Sequence, residues 1–282
     1  MVITEPKPFA ELCERLRAAG SFALDMEFQR ERTYWPNLQL LQVGIPGEAA
    51  AVDPLAIEDL SPLYTLIADP SLVKIVHAGR QDAEIFYNAT ETPPRNMYDT
   101  QVAAALVGLG EQVGYAALVQ KLVGVRIKKT ERITDWGRRP LRPAQVEYAL
   151  NDVIHLHEIK EKLDEDLAKL GRVDWLAEEL SFYEQESQYR ADPRQLFRKV
   201  SGWRGLNRRG LGILRELAAW RESEAQRRDI PRQRVVPDDV LVEVAMRRPG
   251  NLDASPVEPA RTGAQRARVV GSGATWAGCA GG

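Results

Sequence analysis

Two carboxylates one residue apart interrupt an apolar run near the start of the chain, in the segment "SFALDMEFQRE" of residues 21–31. Apolar side chains alternate with the others along it, which predicts a β-strand with one apolar face and with Asp25 and Glu27 together on the opposite face. Two carboxylates at that separation repel each other, and burial raises the free energy of each. We therefore expect a cation between them, supplied either by a basic side chain or by a metal ion.

The pattern of apolar runs and turn residues predicts a mixed α/β domain in the first 175 residues. Three successive strands, followed by an alternation of strand and helix, indicate a sheet with an antiparallel part. From about residue 143 the pattern is helical, and "RPAQVEYALNDVIHLHEIKEKLDEDLAKLG" predicts one long helix that ends at Gly171. On this helix Tyr148 and Asp152 are four residues apart and therefore share a face.

Charge is divided unevenly along the chain. Residues 1–193 hold 21 Lys and Arg against 31 Asp and Glu, whereas residues 194–250 hold 14 against 7. An acidic larger module followed by a basic smaller module is therefore expected, and basic modules often bind phosphate backbones. A solvated, arginine-rich helix face would give the same charge count.

Several classes of protein do not fit this sequence. No apolar stretch approaches the roughly 20 residues that a membrane-spanning helix needs, and the first residues lack the apolar core of a signal peptide. The only cysteines, Cys13 and Cys279, lie far apart, which argues against a disulfide framework and against a zinc site. We therefore predict a cytoplasmic protein that contacts no membrane and uses no small-molecule cofactor.

Two further acids complete a candidate metal site. Asp82 follows the predicted strand "LVKIVHAG", and Asp152 lies on the long helix. If these two converge with Asp25 and Glu27, the four carboxylates need cations to stay ionised, and hard oxygen ligands favour Mg²⁺ or Mn²⁺. Two such ions are a standard arrangement for phosphodiester hydrolysis, and the Tyr148 hydroxyl could orient the attacking water.

Each part of this pattern also has a purely structural interpretation when it is taken alone. Asp-x-Glu is common on strands, and Asp82 could cap the helix that follows it. Tyr148 could be a core tyrosine beside a surface acid, and His77 is expected to be a structural histidine at the end of a strand. Together, in this order and spacing, the residues favour the metal site.

The combined motifs resemble the ribonuclease D family, within the DnaQ-like, ribonuclease-H-like superfamily of 3′→5′ exonucleases. The resemblance rests on "FALDMEFQRERTYWPNLQLLQVG", on "VKIVHAGRQDAEIF" and on "VEYALNDVIHLHEI", and it extends from about residue 3 to residue 250. A tyrosine four residues before the last aspartate is typical of the tyrosine subclass. His155 and His157 both follow Asp152, so they do not fit the histidine subclass.

The resemblance implies a fold and a role for each site residue. Asp25 would bridge two divalent ions, Mg²⁺ or Mn²⁺, Glu27 and Asp152 would hold the ion that carries the nucleophilic water, and Asp82 would help to hold the second. Tyr148 would position the water. The implied fold is a ribonuclease-H-like mixed-sheet α/β domain followed by a smaller all-α domain.

The implied activity is a metal-dependent 3′→5′ exoribonuclease that releases 5′-mononucleotides from RNA, with tRNA precursors as expected partners. Phe28, Gln29 and Arg30 directly follow the first two acids and are predicted to contact the nucleic acid, with Gln29 or Arg30 lining the pocket for the RNA 3′ end. Two alternatives stay open. A DNA exonuclease is possible because no residue visibly reads the 2′-hydroxyl, and a catalytically silent RNA-binding protein would be kept for its basic helices.

Residues 194–250 resemble the first part of the helicase-and-RNase-D C-terminal (HRDC) domain, a small helical fold that binds nucleic acids. The segment "LGILRELAAWRESEAQRRDIP" predicts a helix whose apolar side is buried. Four arginines among its polar positions are predicted to contact RNA phosphates: Arg215, Arg221, Arg227 and Arg228.

The predicted organisation has four parts: an exonuclease domain at 1–175, a connecting helix at 176–193, a partial helical domain at 194–250 and a disordered tail at 251–282. The tail is rich in Gly, Ala, Pro and Arg and has no apolar period. It departs from the family pattern after "MRRPGNLDA", which we interpret as a frameshift or truncation near residue 254. An unstable gene product is the third alternative on that interpretation.

Overall fold

The computed structural model describes residues 2–127 and 134–247, and the chain folds into two compact units. The first unit comprises Met1–Gln29 and Pro36–Tyr189, and the second comprises Arg30–Trp35 together with the chain from Arg190 onward. The sequence predicts a connecting segment at 176–193, but the structure packs the chain up to Tyr189 into the first unit. Fully buried Tyr183 belongs to the core of that unit. The tail predicted at 251–282 lies outside the described residues.

A six-stranded mixed sheet lies at the centre of the first unit. Its strands are β1 (Val2–Ile3), β2 (Ser21–Gln29), β3 (Asn37–Ile45), β4 (Glu48–Val52), β5 (Val73–Val76) and β6 (Met97–Asp99). Their spatial order is β1-β4-β3-β2-β5-β6. Strands β2, β3 and β4 are antiparallel neighbours, whereas β1 runs parallel to β4, β5 to β2 and β6 to β5. The prediction of a mixed sheet with an antiparallel part is confirmed.

Helices cover both faces of this sheet. They are α1 (Pro6–Ala19), α2 (Ser61–Ala68), α3 (Arg80–Thr90), α4 (Thr100–Leu106), α5 (Tyr115–Leu122), α6 (Pro143–Ile154), α7 (Leu156–Leu170) and α8 (Val173–Leu180). The apolar face of β2, with Phe22, Leu24 and Met26, packs in one core with α1, α2 and α3. The opposite face of β2 lies under α6 and α7. Asp25 and Glu27 are on this second face because side chains alternate along a strand.

The segment predicted as one long helix is two helices. Helix α6 ends at Ile154, α7 begins at Leu156, and His155 between them has φ −100° and ψ −2°. No proline or glycine marks the break. The break lets α6 pack on β3 and β4 while α7 packs on α4 and β5, so that Val153 and Leu156 are both fully buried.

The second unit is helical, which confirms the predicted smaller all-α part. Its helices are α9 (Arg208–Arg228), α10 (Arg232–Val235) and α11 (Asp238–Arg247), after 3-10 turns at Leu196–Lys199 and Trp203–Gly205. Leu214, Leu217 and Leu241 are fully buried at its centre. Tyr34 joins this core, and its hydroxyl donates to Glu222 at 2.5 Å. Across the described stretches of chain, no helix is both long and apolar enough to cross a bilayer.

Candidate active site

Three carboxylates meet between β2 and α6. One carboxylate oxygen from each of Asp25, Glu27 and Asp152 lies within 4.8 Å of the other two. Asp25 and Glu27 share a face of β2, and α6 packs across that face and carries Asp152. The structure therefore brings together three of the four acids that the sequence singles out.

A β-bulge accompanies this cluster. Glu27 pairs with Leu40 and Phe28 pairs with Leu38, so Gln39 has no counterpart on β2. Bulges increase the local twist and redirect the side chains next to them, and they are common beside active sites. Here the bulge shifts the pairing register directly after Glu27, at the edge of the carboxylate cluster.

Burial raises the pKa of each of these three carboxyl groups, and neighbouring negative charge raises the pKa of Glu27 and of Asp152 further. Burial raises the pKa of Asp25 to about 6. Burial, followed by the charges of Asp25 and Asp152, raises the pKa of Glu27 to about 8. Burial and the charge of Asp25 raise the pKa of Asp152 to about 8. The ionised cluster is therefore unfavourable without a cation.

In the part of the chain that the structure describes, no basic side chain supplies that cation. Among residues 2–127 and 134–247, no lysine or arginine forms an ion pair with Asp25, Glu27 or Asp152. The donor set is instead oxygen-only, close-packed and negatively charged, which suits a hard divalent cation. The three carboxylates fit a metal site better than a salt bridge.

Asp82 lies beside this cluster but outside its tightest group. It is buried in the first turn of α3. Burial raises its pKa well above the usual range, and the charges of Asp25, Asp99 and Glu27 raise it further. Asp82 is therefore near enough to Asp25 for their charges to interact, and its role in holding a second cation stays a prediction.

An aspartate that the sequence reasoning missed anchors the turn before Asp82. Asp99, at the end of β6, accepts hydrogen bonds from the backbone N–H groups of Ala78 and Gly79 at 2.9 and 3.2 Å. The Tyr183 hydroxyl also donates to Asp99, at 2.6 Å. These bonds fix the start of α3 and thereby the position of Asp82. The signal that could have identified Asp99 was its position as an acid at the end of β6, the strand next to β5.

Tyr148 lies one turn before Asp152 on the same face of α6. Its ring packs against Trp136, with a centroid separation of 6.1 Å. Arg139 anchors the segment that carries Trp136, because its guanidinium donates to the Trp136 carbonyl at 2.6 Å and to Asp53 at 2.8 Å. Packing against Trp136 thus holds the tyrosine ring one helical turn from Asp152.

His77 has the structural contacts that the sequence predicts for it. Its Nε2 donates to the carbonyl of Val113 at 3.0 Å, and its Nδ1 lies 2.9 Å from Thr100 Oγ1. Burial lowers the pKa of His77. Both ring nitrogens are therefore used within the fold.

The residues predicted to contact RNA are dispersed. Phe28 packs against the core of the first unit, Gln29 is exposed, and Arg30 belongs to the second unit. On α9, Arg228 is exposed and Arg227 pairs with Glu224 at the surface. These positions remain predicted contacts.

Arg215 and Arg221 on α9 differ in solvent exposure and in their partners. Arg215 is half-exposed and pairs with Glu216. Arg221 is only 4% exposed and donates to the Val236 carbonyl at 2.9 Å and to Asp238 at 2.7 Å. The prediction that Arg221 meets RNA at the surface is therefore corrected: its guanidinium joins α9 to α11 inside the second unit.

Comparison with known proteins gives consistent matches. A family model described as 3′-5′ exonuclease matches residues 1–168, and an HRDC domain model matches residues 210–254. Ribonuclease D of Granulibacter bethesdensis is 46% identical over 254 residues, which are 90% of this chain and 64% of that protein. The chain thus spans a little under two thirds of that relative.

Solved structures agree with these matches. The crystal structure of Escherichia coli RNase D, described as an exoribonuclease involved in structured RNA processing, has a TM-score of 0.90 and 34% identity. The match covers 98% of this chain and 75% of that one. Brucella melitensis NrnC with bound Mg²⁺ has a TM-score of 0.54 and 25% identity, and the match covers 67% of this chain and 89% of that one.

Proposed function

This chain belongs to the ribonuclease D family, and we propose that it is a metal-dependent 3′→5′ exoribonuclease. One observation carries the proposal: three half-buried carboxylates converge within 4.8 Å, and no basic side chain of the described residues pairs with them. Such a cluster costs free energy unless it binds cations, so its presence needs a functional explanation. The match to a 3′-5′ exonuclease family over residues 1–168 supplies one.

The four acids would divide between two cations. Asp25, Glu27 and Asp152 would hold one, and Asp82, with Asp25 beside it, would hold the second. Bound divalent cations acidify an attacking water and stabilise the charge that develops on the leaving oxygen. Mg²⁺ and Mn²⁺ suit this oxygen-only set, and the NrnC structure with Mg²⁺ supports that choice.

The chain's own side chains would orient the reaction. Tyr148, held by Trp136 on the face of α6 that also carries Asp152, would hydrogen-bond the attacking water through its hydroxyl. Asp99 would keep Asp82 in place by fixing the turn before α3. The phosphodiester bond at the RNA 3′ end would then be hydrolysed to a 5′-mononucleotide and a shortened 3′-hydroxyl end.

The similarity to E. coli RNase D supports RNA as the substrate. E. coli RNase D is described as acting in structured RNA processing, and we propose the 3′ ends of structured RNAs, tRNA precursors among them, for this chain. The exposed arginines of α9, Arg227 and Arg228, would add affinity through phosphates without reading sequence.

The proposal is tested with a 5′-labelled tRNA precursor that carries a 3′ extension, and with the all-DNA version of the same strand. We expect Mg²⁺ or Mn²⁺ to support stepwise shortening of the RNA from its 3′ end, and a chelator to stop it. Shortening of the DNA alone would identify the DNA exonuclease instead. Salt-sensitive RNA binding without cleavage under any ion would overturn the proposal.

A further inference from the structure

Gln42 is a polar residue in an unusual position. It lies within the apolar run of β3 and is fully buried. Neither Nε2 nor Oε1 of its carboxamide has a hydrogen-bond partner among the described residues. Buried polar side-chain atoms are almost always hydrogen-bonded, so this side chain needs an explanation.

The register of the sheet places Gln42 beside the carboxylate cluster. Gln42 is directly opposite Asp25 in the antiparallel pairing of β2 with β3. Side chains of directly opposed residues lie on the same face, with Cβ atoms about 4.5–5.5 Å apart. The carboxamide therefore lies next to the Asp25 carboxylate.

The other neighbours of Gln42 leave few hydrogen-bonding choices. On one side, Leu40 and Ala51 pack against Ala149 of α6. On the other side, Val153 of α6 approaches Gly44, to within 3.5 Å of where a Cβ would lie. Gln42, between these contacts, lies beneath the turn of α6 that includes Asp152. These identified neighbours are apolar, and Asp25 lies on the same face of the sheet.

We propose that Gln42 is a positioning residue of the cation site, whose Nε2 donates to the Asp25 carboxylate and fixes which of its oxygens face the cations. The structure does not contain this hydrogen bond; it requires a rotation about the terminal bonds of the Gln42 side chain, which we expect when the cations are bound. In the proposed function Asp25 would help to hold both cations, so the orientation of its carboxylate would affect the binding of each. This inference rests on the proposed metal site.

The inference explains why an amide is kept where an apolar residue would pack equally well. A partner-less buried amide destabilises the metal-free fold, and an apolar side chain of the same shape is neutral or stabilising there. A residue that only fills space would therefore be replaceable by methionine without any effect on cation binding. Replacement of a residue that orients a metal ligand would instead weaken cation binding, because hydrogen-bond partners of metal ligands contribute to metal affinity.

The test is Gln42→Met, with Gln42→Leu as a second variant that has a shorter apolar side chain. Mn²⁺ affinity is measured by titration calorimetry, and the Tm of the chelator-treated protein by thermal denaturation. We expect the Mn²⁺ Kd to rise about 10–100-fold, while the metal-free Tm stays equal to that of the wild type or rises. Kd values within twofold of the wild type for both variants would overturn the inference.

Asn88→Leu is the matched control. Asn88 Nδ2 is likewise buried without a partner among the described residues, but it lies six residues beyond Asp82, about 9 Å along α3. We expect an unchanged Mn²⁺ Kd for this variant. A wild-type protein that binds no Mn²⁺ would defeat the proposed metal site itself, whereas normal Mn²⁺ binding by both Gln42 variants would defeat only the role of Gln42.

Discussion

Asp25→Asn is expected to slow RNA shortening by about 10³-fold or more while the protein stays folded. Asp25 lies at the centre of the cluster, since its charge raises the pKa of Glu27, of Asp82 and of Asp152. Loss of a ligand shared by both cations removes several kcal/mol of transition-state stabilisation, and each 1.36 kcal/mol is tenfold in rate. The measurement is single-turnover cleavage of the 5′-labelled RNA with saturating Mn²⁺.

The same substitution is expected to stabilise the metal-free fold. Asparagine has the shape of aspartate without its charge, so the repulsion on Glu27 and Asp152 falls and the metal-free Tm at pH 8 should rise. Asp59→Asn is the control, because Asp59 is exposed and distant in sequence from the cluster. A variant at position 25 that keeps a tenth or more of wild-type activity would show that Asp25 is not a metal ligand.

Tyr148→Phe is expected to lower kcat by about 10²-fold or more, within the range for a group that orients or transfers a proton. Phenylalanine keeps the ring that packs against Trp136, so α6 and the Asp152 carboxylate should stay in place. KM for RNA and the Kd for Mn²⁺ should therefore change little. Cleavage rates over a range of RNA concentrations, with a parallel Mn²⁺ titration, separate these quantities.

Tyr64→Phe is the matched control for this prediction. Tyr64 packs in the core on the other face of the sheet, and loss of its hydroxyl should leave kcat unchanged. A Tyr148→Phe enzyme with wild-type kcat would assign Tyr148 a packing role only. A loss of Mn²⁺ affinity in the same variant would assign it to the metal site instead.

The strand that carries the first two acids could be predicted from sequence because alternation is a local property. The apolar set on β2 points to one core, which leaves Asp25 and Glu27 on the opposite face. The spacing of Tyr148 and Asp152 was likewise sufficient to place them on one helix face. The pairing of these elements in space depended on the resemblance to a known family.

What escaped prediction depends on contacts between distant parts of the chain. The break at His155 has no proline or glycine signal, because it follows from packing of α6 and α7 on different elements. The sequence places Arg221 among the polar positions of its helix, and hydrogen bonds to Asp238 and to the Val236 carbonyl hold it inside the second unit. Asp99 accepts hydrogen bonds from residues some 20 positions earlier in the chain. No periodic pattern in the sequence indicates such a hydrogen bond.

The central claim, that the carboxylate cluster is a divalent-cation site, is tested most directly by Mn²⁺ titration calorimetry at pH 7 in two buffers of different ionisation enthalpy. Because burial and neighbouring charge raise the pKa of Glu27 and of Asp152 to about 8, both are largely protonated at pH 7 without metal. Cations bind carboxylates only after they lose their protons. We therefore predict binding with release of about one to two protons, and a release that declines as the pH rises above 8. The claim would be contradicted if the protein bound no Mn²⁺. It would also be contradicted if Mn²⁺ bound without proton release and bound the Asp25→Asn variant with the same affinity.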